Sequence, residues 1–169
     1  WDITSEVMAA HQRSGIGNRL IKTYLDLYYR NPKDFESLLY VGQVLQAEGI
    51  KSAIEAHRRK MPYCMGSLYW QLNDCWPVAS WSSTDYYGRW KALHYFAKHA
   101  DNKILVSPTI DSGMLNVVIV SDELNPLSAQ LELEIMDFSG NKLWKKDLPV
   151  DVKANSSASY FNISAEELI

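Results

Sequence analysis

The sequence is poor in several features that would have pointed to particular functions. It holds only two cysteines, Cys64 and Cys75, too few for a disulfide framework, and both read as buried thiols rather than a bridge. No apolar run approaches the ~20 residues needed to cross a bilayer, so no membrane partner is expected. Neither sign of charge dominates: 17 Lys and Arg stand against 20 Asp and Glu, a net charge of −3. Nothing there invites nucleic acid or an anionic surface. The four histidines, His11, His57, His94 and His99, form no metal set. His94 and His99 fall on different faces of one helical stretch, and no cysteine or carboxylate completes a ligand cluster with them. There is no internal repeat and no low-complexity segment. The chain starts at Trp1 without an initiator Met or a signal-like segment and stops at Glu167-Leu168-Ile169, which reads as a piece of a larger protein.

A hydrophobic fraction of 47% is ordinary for a globular chain, and its patterning changes character along the sequence. From Gly17 to Arg30 the residues Leu20, Ile21, Tyr24, Leu25 and Tyr28 recur at three- and four-residue steps, one face of a helix. Asn31-Pro32 ends it and starts the next, with Asn31 as N-cap, Pro32 in the first helical position and Asp34 in the first turn. That second helix runs to about Lys60 along a stripe through Phe35, Leu38, Leu39, Gly42, Leu45, Gly49, Ile50, Ile54 and His57. Its two glycines each cost about 1 kcal/mol of helix stability, which predicts a second element packed closely against them. Pro62 closes the helix. The stretch Tyr63–Leu72 is nearly all apolar without clean alternation and predicts a strand covered on both faces, as in a parallel barrel. A last helix follows from about Trp90 to Ala100, and Asp101-Asn102-Lys103 marks a domain boundary.

Beyond it the segments 104–108, 115–120, 127–136, 142–148 and 157–163 read as strands. Leu131, Leu133 and Ile135 alternate with Glu132 and Glu134, and Ser139-Gly140-Asn141 is a hairpin turn. Short antiparallel strands with regular turns indicate an immunoglobulin-type sandwich. A complete one needs about seven strands, so five imply that it is truncated at its C-terminus. Asn155-Ser156-Ser157 and Asn162-Ile163-Ser164 match the glycosylation sequon.

The richest stretch for function is 66–95. The run Gly66-Ser67-Leu68-Tyr69-Trp70-Gln71-Leu72-Asn73-Asp74 leads into Trp76-Pro77, and Trp81, Tyr86, Tyr87, Trp90 and Tyr95 follow. A strand that delivers an indole to its own end and opens into a Trp-rich polar loop suits a sugar. The apolar C–H face of a pyranose stacks on the ring, and its hydroxyls find partners such as Asn73 and Asp74.

This run, with Ser80-Trp81-Ser82-Ser83 and Asp85-Tyr86-Tyr87-Gly88-Arg89-Trp90-Lys91-Ala92-Leu93-His94-Tyr95, resembles the end of the catalytic barrel in β-mannosidases of glycoside hydrolase family two. The resemblance implies an α+β fragment: residues 1–102 as the C-terminal segment of a (β/α)8 TIM barrel, and 103–169 as the start of the immunoglobulin-like β-sandwich after it. It implies a parent enzyme that removes terminal β-linked mannose from oligosaccharides with retention, needing no metal or organic cofactor, in periplasm, lysosome or extracellular space. It makes Trp70 the floor of the subsite for the non-reducing-end sugar; without it, a core tryptophan is the alternative. Asn73, Asp74 and Trp76 join Trp70 as substrate-binding candidates. Asp74 could equally bond its own turn. Trp76, Trp81, Tyr86 and Tyr87 could line an outer pocket or serve packing, and Arg89 and Lys91 read as surface or loop anchors.

Retaining hydrolysis requires two carboxyl groups about 5–5.5 Å apart. In this family both are Glu, one after an Asn and one in a Ser-Glu-aromatic-Gly motif. Ser5-Glu6 is the sole tempting pair, but Val7-Met8-Ala9-Ala10 follows it as helix. We therefore assign no catalytic residue, and the chain alone is expected to be inactive. Two rivals remain open: another exo-β-glycosidase of the family (glucosaminidase, galactosidase or glucuronidase), or a non-catalytic carbohydrate-binding or structural module. The apolar faces of the 63–72 strand and of the long helix, uncovered in so short a chain, lead us to expect a homo-oligomer.

Overall fold

The computed structural model describes residues 3–168. Its elements run α1 (Glu6–Ala10), α2 (Gly17–Tyr28), α3 (Phe35–Arg59), α4 (Ala92–Ala100), β1 (Ile104–Asp111), β2 (Met114–Ser121), β3 (Leu127–Met136), β4 (Lys142–Val152) and β5 (Ser156–Ser164). A 3-10 turn at Ala165–Leu168 follows. The fold is α+β with antiparallel sheets. Among the described residues no helix is long and apolar enough to cross a membrane. Two compact units form: residues up to Ile54 with Ser67–Ala100, and Glu55–Gly66 with the residues from Asp101 onward.

In the first unit the helices start and stop on chemical signals. Ser5 caps α1 by accepting from the Met8 amide (3.3 Å). Asp34, rather than Asn31, caps α3: its carboxylate accepts the Ser37 amide at 2.7 Å and its carbonyl the Leu38 amide. The reading of Asn31-Pro32 as the helix start is thus corrected by three residues. A carboxylate acceptor at the N-terminus also meets the positive end of the helix dipole. The core joins Ala47, Ile50 and Ile54 of α3 to Leu93, Phe96, Ala97 and Ala100 of α4, with Tyr69 against them. Alanines at the contact let the helices approach. Gly42 and Gly49 have no such role, since a Cβ on either would meet nothing within 4 Å.

The stretch expected as a strand covered on both faces, 63–72, makes no strand ladder. Over 67–72 the chain is extended and its side chains alternate. Ser67, Tyr69 and Gln71 turn inward, while Leu68, Trp70 and Leu72 are exposed. One face is therefore covered and the other open.

The second unit is a two-sheet sandwich. One sheet has the order β1-β2-β5 and the other pairs β3 with β4, all antiparallel. Val117 and Ile119 of β2 meet Leu131, Val150 and Val152 of the second sheet, with Leu115, Leu127, Leu133, Leu148 and Phe161 around them. The other face of β2, Val118 and Val120, packs with Leu105 and Met61. The strand buried on both faces is thus β2. The end of α3 reaches the same sheet. Arg59 donates to the buried Ser107 hydroxyl (2.6 Å), which donates to Glu55 (2.5 Å), and Arg58 pairs with Asp122 at 2.7 Å. Burial pushes the Asp101 carboxyl above its ordinary value. The Arg58 charge works against that rise, and the Asp122 charge adds to it.

β1 and β2 join through Ser112-Gly113, both at positive φ (51° and 76°), as a two-residue hairpin whose twist matches its strands requires. The β3–β4 turn forms around Ser139-Gly140-Asn141 as the sequence predicts. Asp137 accepts the amides of Ser139 and Asn141 (2.9 Å each) and the Asn141 side-chain amide (2.7 Å), and Gly140 takes a φ of 86°.

Candidate functional site

The polar loop 69–91 belongs to the first unit and is held as a small ladder of its own. The amides of Ser83 and Thr84 donate to the carbonyls of Gln71 (3.0 Å) and Leu72 (2.8 Å), and the Asp74 amide donates back to Thr84 (3.2 Å). Asn73 and Thr84 form a parallel bridge, and Thr84 an antiparallel one with Trp90. The Ser83 hydroxyl is buried between the Leu72 carbonyl (3.0 Å), the Tyr69 hydroxyl (3.1 Å) and His94 Nδ1 (3.0 Å). The backbone directly after Trp70 is therefore fixed on one side, while the indole itself is 73% exposed. The core-tryptophan alternative does not describe this residue in this chain.

Asp74 is 4% exposed. Its Oδ1 accepts the Ser80 hydroxyl (2.5 Å), and its Oδ2 accepts the Ser82 hydroxyl (2.6 Å) and Lys91 Nζ (2.9 Å). Lys91 Nζ also donates to Ser82 Oγ at 2.6 Å. Burial pushes the Asp74 carboxyl up, but the hydrogen bonds from Ser80, Ser82 and Lys91 and the lysine's charge outweigh it, so it titrates below its ordinary value. Its carboxylate is thus engaged by three side chains of the loop and not by the backbone of its own turn. Of the surface and loop anchoring expected for Lys91, the contacts are those of a loop anchor: its side chain is 14% exposed and sits on a carboxylate that is 1% exposed. A lysine just before the first residue of α4 faces the positive end of a helix dipole and needs a counter-charge.

Asn73 is exposed, with its side-chain amide donating to the Asp74 carbonyl at 3.2 Å. Trp76 is packed: the His11 ring stacks on it at 5.2 Å and 11°, and the Arg13 guanidinium lies 4.9 Å from its ring. His11 Nδ1 also sits 2.5 Å from the Pro77 carbonyl, and Gln12 donates to the Ala79 carbonyl at 3.1 Å. A cavity of about 260 Å³ lies beside this cluster, lined by Arg13, Gln71, Asp74, Trp76 and Trp81 among others. Nothing in the sequence around His11 points to this stacking on Trp76, 65 positions away.

The loop closes through Asp85, which accepts the amides of Tyr87 and Arg89 (2.9 Å each) and Arg89 Nε (2.6 Å), with Gly88 at φ 77°. This wiring repeats that of Asp137 to Asn141. Trp90 rests on His94 (4.3 Å) and Tyr95 (5.0 Å). Glu6 is an exposed acid in the first turn of α1, a position the helix dipole explains without chemistry. Trp70, Asn73, Asp74 and Trp76 thus lie on one hydrogen-bonded loop, two of them exposed and two engaged in holding it.

Comparison with known proteins places this arrangement. Residues 113–169 match the family described as Mannosidase Ig/CBM-like domain. That match begins at the β1–β2 turn, so β1 pairs into the sheet from outside it. The β-mannosidase of Capra hircus is 31% identical over all of this chain and 21% of its own length. β-Mannosidase A of Aspergillus terreus is 40% identical over 65% of this chain and 12% of its own length. The crystal structure of a β-D-mannosidase from Dictyoglomus thermophilum superposes on 96% of this chain and 20% of that one, with a TM-score of 0.86 and 32% identity. An exo-chitosanase from Amycolatopsis orientalis, at a TM-score of 0.75 and 20% identity, shares the fold. The chain is related along its whole length to glycoside hydrolases. Within that class its relatives are the β-mannosidases of family two, as the 66–95 run implies. It spans about a fifth of the length of the curated relatives it matches.

Proposed function

We propose that this chain is the end of the catalytic (β/α)8 barrel, residues 1–102, and the start of the following immunoglobulin-like sandwich, 103–169, in an exo-acting retaining β-mannosidase. The enzyme removes terminal β-D-mannose from oligosaccharides in periplasm, lysosome or extracellular space. Here Trp70 is the sugar platform, Asn73 a hydroxyl partner beside it, and Asp74 and Trp76 hold the loop that presents them. The observation that carries this reading is the alternation over 67–72. Tyr69 turns to the helices, while Leu68, Trp70 and Leu72 form an open face. A barrel strand has one face toward its helices and one toward the barrel interior, and its C-terminal end faces the mouth where substrates of this fold bind. An exposed indole at that end, on a backbone fixed by Ser83 and Thr84, suits a stacked pyranose.

The test is Trp70→Ala in the full-length enzyme. A platform role predicts at least a tenfold loss in kcat/KM on an aryl β-mannoside, equivalent to about 1.4 kcal/mol, with the melting temperature unchanged. A core role predicts the reverse: a loss of about 3–5 kcal/mol of stability with normal kinetics in the folded fraction.

A further inference from the structure

We propose that Lys91, through Asp74, is a positioning residue for the sugar platform: the ion pair clamps the loop segment that carries Trp70 and Asn73 in its productive place. The inference rests on the platform role of Trp70.

Three strands of observation converge on the pair. The first is connectivity. Asp74 ends the segment that begins at Trp70, and Lys91 follows the bridge between Thr84 and Trp90. The Lys91 amide donates to the Ser83 carbonyl (2.9 Å), and its ammonium reaches both Asp74 and Ser82. The single pair therefore ties 71–74, 80–84 and the start of α4 together. The second is burial. A carboxylate this enclosed is tolerable only with its lone pairs filled; Ser80, Ser82 and Lys91 fill them. The third is what is left outside. Trp70, on the extended segment that leads to Asp74, and Asn73 beside it keep exposed side chains, so the loop is tied underneath and open above. A stacking surface gains from such support, because a displacement of about 1 Å in a positioning group can cost about a hundredfold in rate.

A structural role alone would make the same ion pair stabilise the fold without touching kinetics, and a double substitution separates the two. In the full-length enzyme, Lys91→Met strands the Asp74 carboxylate, while Asp74→Asn with Lys91→Met removes the stranded charge. Lys91→Arg keeps the charge with altered geometry. We expect Lys91→Met to lower both melting temperature and kcat/KM on an aryl β-mannoside, the latter about tenfold. The double variant should recover most of the melting temperature but keep the kinetic loss, and Lys91→Arg should recover part of kcat/KM. Recovery of wild-type kcat/KM in the double variant, or normal kinetics in folded Lys91→Met, overturns the proposal. If Lys91→Met does not fold, the double variant and Lys91→Arg carry the test. Trp70→Ala is measured beside them. If it lowers kcat/KM while the clamp variants do not, the clamp alone is wrong. If it leaves kcat/KM unchanged, the platform reading fails and this inference with it.

Discussion

Two carboxylates in this chain respond to pH in opposite directions, and each makes a prediction about a single residue. Asp74 titrates below its ordinary value in the folded chain, so its contribution is present at neutral pH and is lost as pH falls through the folded value. Asp74→Asn should therefore lower the melting temperature at pH 7, and the gap from wild type should narrow progressively below about pH 4. Asp101 titrates above its ordinary value, by burial first and by Asp122 against the relief from Arg58. Its folded form prefers the proton, so stability is highest below the unfolded value and declines as pH rises through the folded one. Asp101→Asn should raise the melting temperature at pH 7 only slightly, since the residue is exposed and solvent screens its charge, and leave it unchanged well below about pH 4. Thermal scans of both variants across pH check the signs, and a gain for Asp74→Asn at pH 7 would contradict the network. At this scale the candidate site was partly legible. Trp70 and Asn73 were candidates because an indole leading into a Trp-rich polar loop suits a sugar and because the 66–95 run resembles a known family. The Asp74–Ser80–Ser82–Lys91 cluster was not legible, because its members meet only through the fold of the loop, and serines in a loop read as solvated.

Glycine separates the elements in the same way. In α3, Gly49 is helical with open space where a Cβ would stand, so Gly49→Ala should stabilise the chain by about 1 kcal/mol. At the β3–β4 turn, Gly140 has φ 86°, and Gly140→Ala should destabilise by about 1–2 kcal/mol. Denaturant unfolding of both variants would show equal signs only if one of these backbone assignments were wrong. The two turns built on Asp85 and Asp137 show how much of an element can be read locally. In each, an aspartate takes two amides and a side chain four residues on, with glycine at the fourth place. Helices and strands were legible from period and turn residues, and β3 falls on the predicted bounds. The start of α3 was not, since Asn31, Pro32 and Asp34 all suit a helix N-terminus and only the hydrogen bond to Ser37 decides. The stretch 63–72 departs from the expected coverage on both faces for a different reason. An apolar run records that burial is wanted, not that a partner is present, and the period-two exposure over 67–72 emerges only when one face alone is packed.

For the molecule as a whole, that open face gives a testable outcome: the isolated chain should self-associate. Leu68, Trp70 and Leu72 are exposed, as are apolar residues of α2 such as Leu20, Tyr24, Leu27 and Tyr28, and apolar surface of this kind favours association. Light scattering should show a mass above that of one chain, rising with concentration; a monodisperse monomer would contradict it. The isolated chain should also show no turnover of aryl β-glycosides, and activity abolished by Glu6→Gln would make that carboxylate a nucleophile after all. The sandwich carries a further consequence, in β2. Its residues 117–121 are buried in succession, and it is hydrogen-bonded to β1 on one side and β5 on the other. Its amides can meet water only after a neighbouring strand has left. In deuterated solvent the outer strands of the sheet should therefore exchange first and β2 last. The slowest-labelled peptide should be the one spanning Val117–Val120, a clock that records the order in which this half of the molecule opens.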